Sequence, residues 1–170
     1  VGMFEERMRL LEGANSCRAT ATGMAAVWGA LAACLKAGDR LVASRSLFGS
    51  CHVVCTEVLP KFGVETVLLD GTNLAEWEAA LSTPAQAVFL ETPSNPQLDL
   101  IDITAVSEMA HQAGATVVVD NVFATPLLQS PLELGADVVV YSATKHIDGQ
   151  GRAMGGAILT NDLEFANGGL

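Results

Sequence analysis

Apolar residues along this chain follow two periods, one helical and one strand-like, and stretches of the two alternate. Within residues 4–11, Met8 and Leu11 fall at helical spacing and predict the tail of an amphipathic helix. Thr22 can cap a second helix running through Met24, Ala25, Ala26, Val27 and Trp28 to Lys36, with Gly38 as its stop. Residues 40–43 predict a short strand, and about 48–61 a helix broken or strained near Pro60. Residues 64–69 read as strand, 74–81 as helix, and 87–90 as a buried strand ending in the turn-rich Glu91-Thr92-Pro93-Ser94-Asn95-Pro96.

The second half is patterned more strongly. Ile103, Val106, Met109, Ala110 and Ala113 mark one face of a helix that Asp102 can cap and Gly114 can end. Residues 116–120 are an uninterrupted apolar strand with an acid, Asp120, at its carboxyl end. Residues 131–134 predict a helical turn stopped by Gly135, and 136–141 another strand running into Ser142-Ala143-Thr144-Lys145. Strands that do not alternate with polar residues need cover on both faces, so the pattern predicts an α/β protein with a largely parallel sheet. Ligands of such sheets bind beyond the carboxyl ends of the strands. Asp120, Ser142, Thr144 and Lys145 all fall there.

Composition narrows the function classes. The 170 residues are one domain's worth, and half of them are hydrophobic against 16% charged, which excludes intrinsic disorder. No apolar run approaches the ~18 residues of a membrane span, which argues against a membrane partner. A formal charge of -10 argues against a nucleic-acid partner. The chain opens at Val1, inside a helix-like segment and without a signal sequence, and is expected to be part of a larger soluble protein. Cys17, Cys34, Cys51 and Cys55 sit in stretches read as apolar and helical, so reduced, buried thiols and a cytoplasmic setting are expected. Cys51-His52-x-x-Cys55 has no second ligand pair at zinc spacing, so no metal site is expected.

Single residues carry little weight here. A lysine after a strand is ordinarily a solvated loop residue, and an aspartate there a turn former or cap. The glycines at 149, 151, 155 and 156 do not have dinucleotide-loop spacing, and 157–159 reads as a strand where that motif needs a helix. The ordered set is what carries information: Thr22-Gly23-Met24 opening a helix, Asp120-Asn121 ending one strand, and Ser142-Ala143-Thr144-Lys145-His146 ending another. With Val117-Val118-Val119-Asp120-Asn121, Pro131-Leu132-Glu133-Leu134-Gly135-Ala136-Asp137 and Tyr141-Ser142-Ala143-Thr144-Lys145, the chain resembles the Cys/Met-metabolism enzymes that use pyridoxal 5'-phosphate (PLP). These belong to the fold-type I, aspartate-aminotransferase-like transferases, with a mostly parallel sheet and helices on both faces of the large domain.

The resemblance implies roles. Lys145 resembles the family's Schiff-base lysine, because a carbonyl cofactor needs a primary amine. Asp120 resembles the carboxylate that keeps the cofactor's ring nitrogen protonated. Gly23 and Met24 resemble backbone donors to the cofactor phosphate at a helix start, with the hydroxyls of Ser142 and Thr144 completing that cup. Asn95 matches an asparagine near the ring hydroxyl, although it also reads as a turn residue. Phe48, in Leu47-Phe48-Gly49, stands where most relatives have a tyrosine stacked on the cofactor; it keeps the stacking but cannot move a proton.

Residues 1–170 would then be part of a PLP-binding large domain, with the amino-terminal arm and carboxy-terminal domain outside it, and the fragment alone is expected to be inactive. The resemblance also implies a homo-oligomeric parent, dimer or tetramer, acting on a small amino-acid substrate. Residues 146–152 with Gly155-Gly156 are similar to the subgroup that exchanges the succinyl group of an activated homoserine for sulfide. Members that use cysteine as the thiol, act on acetyl esters or eliminate methionine's thiol are the alternatives. A non-catalytic α/β binding module is the rival from another class.

Overall fold

The structure is a computed structural model and describes residues 1–168. Helices and strands alternate as α1 (Gly2–Glu12), β1 (Ser16–Thr20), α2 (Gly23–Cys34), β2 (Arg40–Ser44), α3 (Gly49–Val53), β3 (Glu65–Leu69), α4 (Leu74–Leu81), β4 (Ala87–Glu91), α5 (Ile103–Gln112), β5 (Thr116–Asp120), α6 (Thr125–Leu128), β6 (Val138–Ser142), β7 (Gly156–Thr160) and α7 (Leu163–Gly168). Among the described residues the strands form one seven-stranded sheet in the order β1-β7-β6-β5-β4-β2-β3. Strands β6, β5, β4, β2 and β3 are parallel, while β7 runs antiparallel to both β6 and β1.

The apolar strands are continuous because both faces are covered. Phe89, Val118, Val138 and Val140 pack with Ala26, Val27, Ala30 and Leu31 of α2 and with Cys51 and Cys55. Val88, Leu90, Val117 and Val119 point the other way, onto Trp77 and Leu81 of α4 and Ile103, Val106 and Ala110 of α5. Met8 of α1 extends that second face over Val139, Tyr141 and Leu159. Fully burying one such side chain, Phe89 for example, stabilises the fold by roughly 1.5–3 kcal/mol. This is the mostly parallel α/β architecture that the pattern predicts.

Helix starts follow the sequence signals, but α2 stops at Cys34, short of the expected Lys36 and Gly38, because Leu35 is already extended. Thr22 accepts the Ala25 amide at 3.0 Å and Asp102 accepts that of Ala105 at 3.0 Å, caps of about 1 kcal/mol each. Residues 49–62 stay helical throughout, but α3 widens into a π turn (Val54–Val58) and then tightens into a 3-10 turn (Leu59–Phe62). Pro60, which has no N–H to donate, sits at the start of that last turn, so the expected strain becomes a change of pitch.

Three features differ from the sequence expectation. Cys17 lies in β1, not in a helix; Ser-Cys-Arg-Ala-Thr carries no apolar run, and its strand character comes from pairing with β7. Residues 136 and 137 precede β6 rather than open it, since the Ala136 amide closes the preceding turn onto Pro131 O. The short α6 was not expected, as Thr-Pro-Leu-Leu is too brief to show a period. Residues 169–170 of the expected domain lie outside the described residues.

Two glycines set the start of α2 against the sheet. A Cβ on Gly23 would stand 2.5 Å from Ser142 Cβ, and one on Gly156 would stand 2.3 Å from Thr22 O. Only glycine permits either approach.

Candidate active site

The close seat of α2 leaves a cavity of about 550 Å³ beyond the carboxyl ends of β4, β5 and β6. Its wall includes Gly23, Met24, Phe48, Asn95, Asp120, Ser142, Thr144 and Lys145, so every residue singled out from the sequence reaches one space. They come from five separate stretches of chain. The first amides of a helix have no intrahelical acceptor, so the start of α2 presents Gly23 and Met24 N–H groups and the positive end of its dipole.

Asp120 is buried at the end of β5, and its Oδ1 accepts the Val122 amide at 3.0 Å. Burial pushes its carboxyl up to about 6, and the Val122 N–H opposes the shift. Ser142 ends β6 beneath Gly23. The Gly155 amide donates to Thr144 Oγ1 at 3.2 Å, which fixes that hydroxyl between β6 and β7. Lys145 follows on an exposed turn, closed by the Gly149 amide donating to Lys145 O at 2.8 Å. Phe48 is 43% exposed, a large ring left open at the cavity rather than packed in the core.

Sequence reasoning passed over Glu91. It lies in register with Asp120 on the neighbouring strand, lines the same cavity and is 4% exposed. Its Oε2 accepts the Phe48 amide. Burial, and then the charge of Asp120, push its carboxyl up to about 7, against the Phe48 and Asn95 amides. The only signal was an acid at the end of each of two strands, and their register cannot be read locally. His146 also lines the cavity; its ring stands edge-on to Tyr141 with centroids 5.9 Å apart, and burial holds its imidazole below the ordinary value.

A buried polar network backs the strand ends. The Tyr141 hydroxyl donates to Glu12 Oε2 at 2.5 Å, and Asn121 Nδ2 donates to the Tyr141 oxygen at 2.5 Å. Gln129 Nε2 bridges Asn121 Oδ1 at 2.7 Å and Thr92 O at 2.8 Å. The network connects α1, β6, the residues after Asp120 and the turn after Glu91. Burial pushes Glu12 up to about 7.

Other chemistry is not built. The four cysteines are free, and burial raises every thiol, those of Cys17, Cys34 and Cys55 to about 12. Among the described residues there is no group of three potential metal ligands, and no helix is long and apolar enough to cross a membrane. What the cavity offers is a helix start for an anion, a carboxyl for a basic ring nitrogen and a primary amine for a carbonyl. PLP carries all three complements, and the residues present fit it.

Residues 1–168 match the model of the Cys/Met metabolism PLP-dependent enzyme family. The chain is 67% identical over 168 residues to an O-succinylhomoserine sulfhydrylase of Mycobacterium tuberculosis, covering 99% of the chain and 41% of that relative. It is 48% identical over 158 residues to the protein of the same description from Pseudomonas aeruginosa, covering 93% of the chain and 39% of that relative. Among solved structures it superposes on cystathionine γ-synthase from Xanthomonas oryzae with a TM-score of 0.94 at 36% identity, covering 97% of this chain and 43% of that one. The chain thus spans about two fifths of the length of the curated relatives it matches.

Proposed function

Since the chain belongs to the Cys/Met metabolism PLP-dependent enzyme family, we propose that the full-length protein holds PLP in this cavity and replaces the γ-substituent of an activated homoserine ester. The substrate of this reading is O-succinylhomoserine, with sulfide as the incoming nucleophile and homocysteine and succinate as products. The observation that carries the placement of the cofactor is the convergence of Lys145, Asp120 and the start of α2 on one cavity. The choice of ester and nucleophile is supported by the 67% and 48% identities to O-succinylhomoserine sulfhydrylases.

Bound PLP supplies a carbonyl carbon for amines and a ring that, protonated at nitrogen, withdraws electrons from the carbons of a substrate. The amides of Gly23 and Met24 and the hydroxyls of Ser142 and Thr144 would bind the phosphate. Asp120 would keep the ring nitrogen protonated, and its burial strengthens that ion pair while costing the isolated carboxylate. Lys145 would hold the cofactor by its amine, yield it to the substrate's amine, and carry protons away from and back to the substrate's α- and β-carbons. Phe48 would cover one ring face and exclude water without moving a proton. Asn95 would hydrogen-bond the ring hydroxyl. The same reading takes the parent as a cytoplasmic homo-oligomer.

The test uses purified full-length protein with PLP. It is assayed with succinyl and acetyl homoserine esters against sulfide and cysteine, and borohydride-reduced protein is peptide-mapped. The expected result is fastest homocysteine release from the succinyl ester with sulfide, and label on Lys145. Preference for cysteine would make it a cystathionine-forming enzyme, and no label on Lys145 would overturn the cofactor site.

A further inference from the structure

The feature that this reading leaves without a task is the second buried carboxyl. Glu91 and Asp120 occupy paired positions on parallel neighbours β4 and β5 and line one cavity. In-register side chains on adjacent parallel strands share a face, so the two carboxyls are neighbours by construction. Glu91 also reaches sideways: its Oε2 accepts the backbone amide of Phe48, 43 residues earlier in the chain. That contact ties the loop that carries the Phe48 ring to the strand beside Asp120.

We propose that Glu91 is a positioning residue, which anchors Phe48 at the cavity through its backbone amide and, as the neutral member of a carboxyl pair, leaves the negative charge to Asp120. The inference rests on the PLP reading above. Two carboxylates side by side in a water-poor space do not both ionise readily. The titratable groups that face Glu91 are Asp120 from β5 and Cys51 from α3; Lys145 and His146 line the same cavity from beyond β6. The Cys51 thiol is raised and stays neutral. Burial raises both acids, and the charge of Asp120 raises Glu91 further, so Asp120 ionises ahead of Glu91. A ring nitrogen bound at Asp120 would favour that order further. Neutral Glu91 keeps a carbonyl oxygen for the Phe48 amide, so anchoring does not require its charge. When Glu91 does ionise, a second negative charge arrives beside Asp120 and is felt by whatever Asp120 holds.

The experiment uses PLP-loaded full-length protein and reads the absorbance and circular dichroism of the bound cofactor from pH 5 to 9, with PLP affinity and the melting of the PLP-free protein alongside. Glu91→Gln keeps the acceptor and the neutral shape. It is expected to bind PLP within about threefold of wild type at pH 6 and to lose a spectral inflection that wild type shows near pH 7. Glu91→Leu removes the acceptor and is expected to weaken PLP binding about tenfold or more and to reduce the cofactor's dichroism. If Glu91→Leu does not fold, the Glu91→Gln titration decides alone. A Glu91→Gln protein that keeps the inflection near pH 7, or that binds PLP ten times more weakly at pH 6, would overturn the proposal. Wild-type protein that takes up no PLP would instead overturn the cofactor reading on which it rests.

Discussion

The two ends of the sheet carry opposite chemistry. At the carboxyl ends of the parallel strands, Glu91 and Asp120 are buried acids supported by backbone N–H groups, beside the start of α2. At the amino ends, a smaller cavity of about 270 Å³ is lined by His111, Gly114, Thr116, Asp137 and Asp162. There His111 sits in the last turn of α5, with Nε2 3.0 Å from Asp137 Oδ2, and both side chains are well exposed. Parallel strands joined by crossover helices put helix starts at one rim and helix ends at the other. One rim therefore gathers spare donors and positive dipole ends, and the other spare carbonyls and negative ends. The first rim therefore suits an anion and its partners, as the proposed cofactor site requires, while the histidine of the second suits a helix end.

Removing the amine at the first rim should have the largest effect. Lys145→Ala in the full-length protein is expected to lower turnover by at least ~1000-fold, within the range for loss of a proton-transferring side chain. It should also abolish borohydride-stable labelling, while PLP still binds through the groups at the start of α2. Assay and mass spectrometry check both halves, and near-normal turnover would equalise the two rims. Asp120→Asn comes next, with turnover lowered ~100-fold or more while PLP affinity falls only ~10-fold. A contact of about 1.5 kcal/mol accounts for the second number but not the first. Equal losses in both would make Asp120 a binding contact only.

Glu12 offers a smaller and different test, because it lies behind the rim rather than in it. Its carboxyl is raised from 4.5 to about 7, so the folded state binds a proton that the unfolded state has released. That contribution to stability is full below about 4.5, falls as pH rises, and is gone above about 7. The total change is of order 2 kcal/mol after solvent screening is allowed for. Melting temperatures from pH 4.5 to 7.5 for wild type and Glu12→Gln should differ in slope, with the variant flatter; parallel slopes would remove Glu12 as the source. The smallest effect belongs to the second rim. His111→Ala is expected to cost at most ~1 kcal/mol in denaturant melts, as exposed pairs do, and to leave PLP affinity unchanged. A change in cofactor binding there would join the two ends functionally.

The sequence showed what depends on neighbours along the chain and hid what depends on neighbours across the sheet. The Thr22 and Asp102 caps, α4 and β5 were legible because each signal lies within a few residues. Asp120, Ser142, Thr144 and Lys145 were legible because strand ends announce where a parallel sheet opens, whereas Gly23, Met24, Phe48 and Asn95 came only through the family resemblance. Strand β1 was hidden because its five residues become a strand only against β7, whose Thr160 pairs with Ser16 across 144 positions of chain. Glu91 was hidden because its meaning lies in its register with Asp120. The Glu12–Tyr141 bond was hidden because it joins residues 129 apart.

The reversal of β7 has a mechanical consequence. Because β6 and β7 are antiparallel, residues 143–155 return directly at the same rim, with no crossover helix between them. Both ends of the return are stitched together, the Ala143 amide donating to Gly155 O at 2.8 Å and the Gly155 amide to Thr144 Oγ1. Its middle is folded onto Asp148, whose Oδ2 accepts the amides of Gln150 and Arg152 at 3.2 and 2.7 Å. Lys145 therefore rides on a self-braced bracket fixed to two core strands.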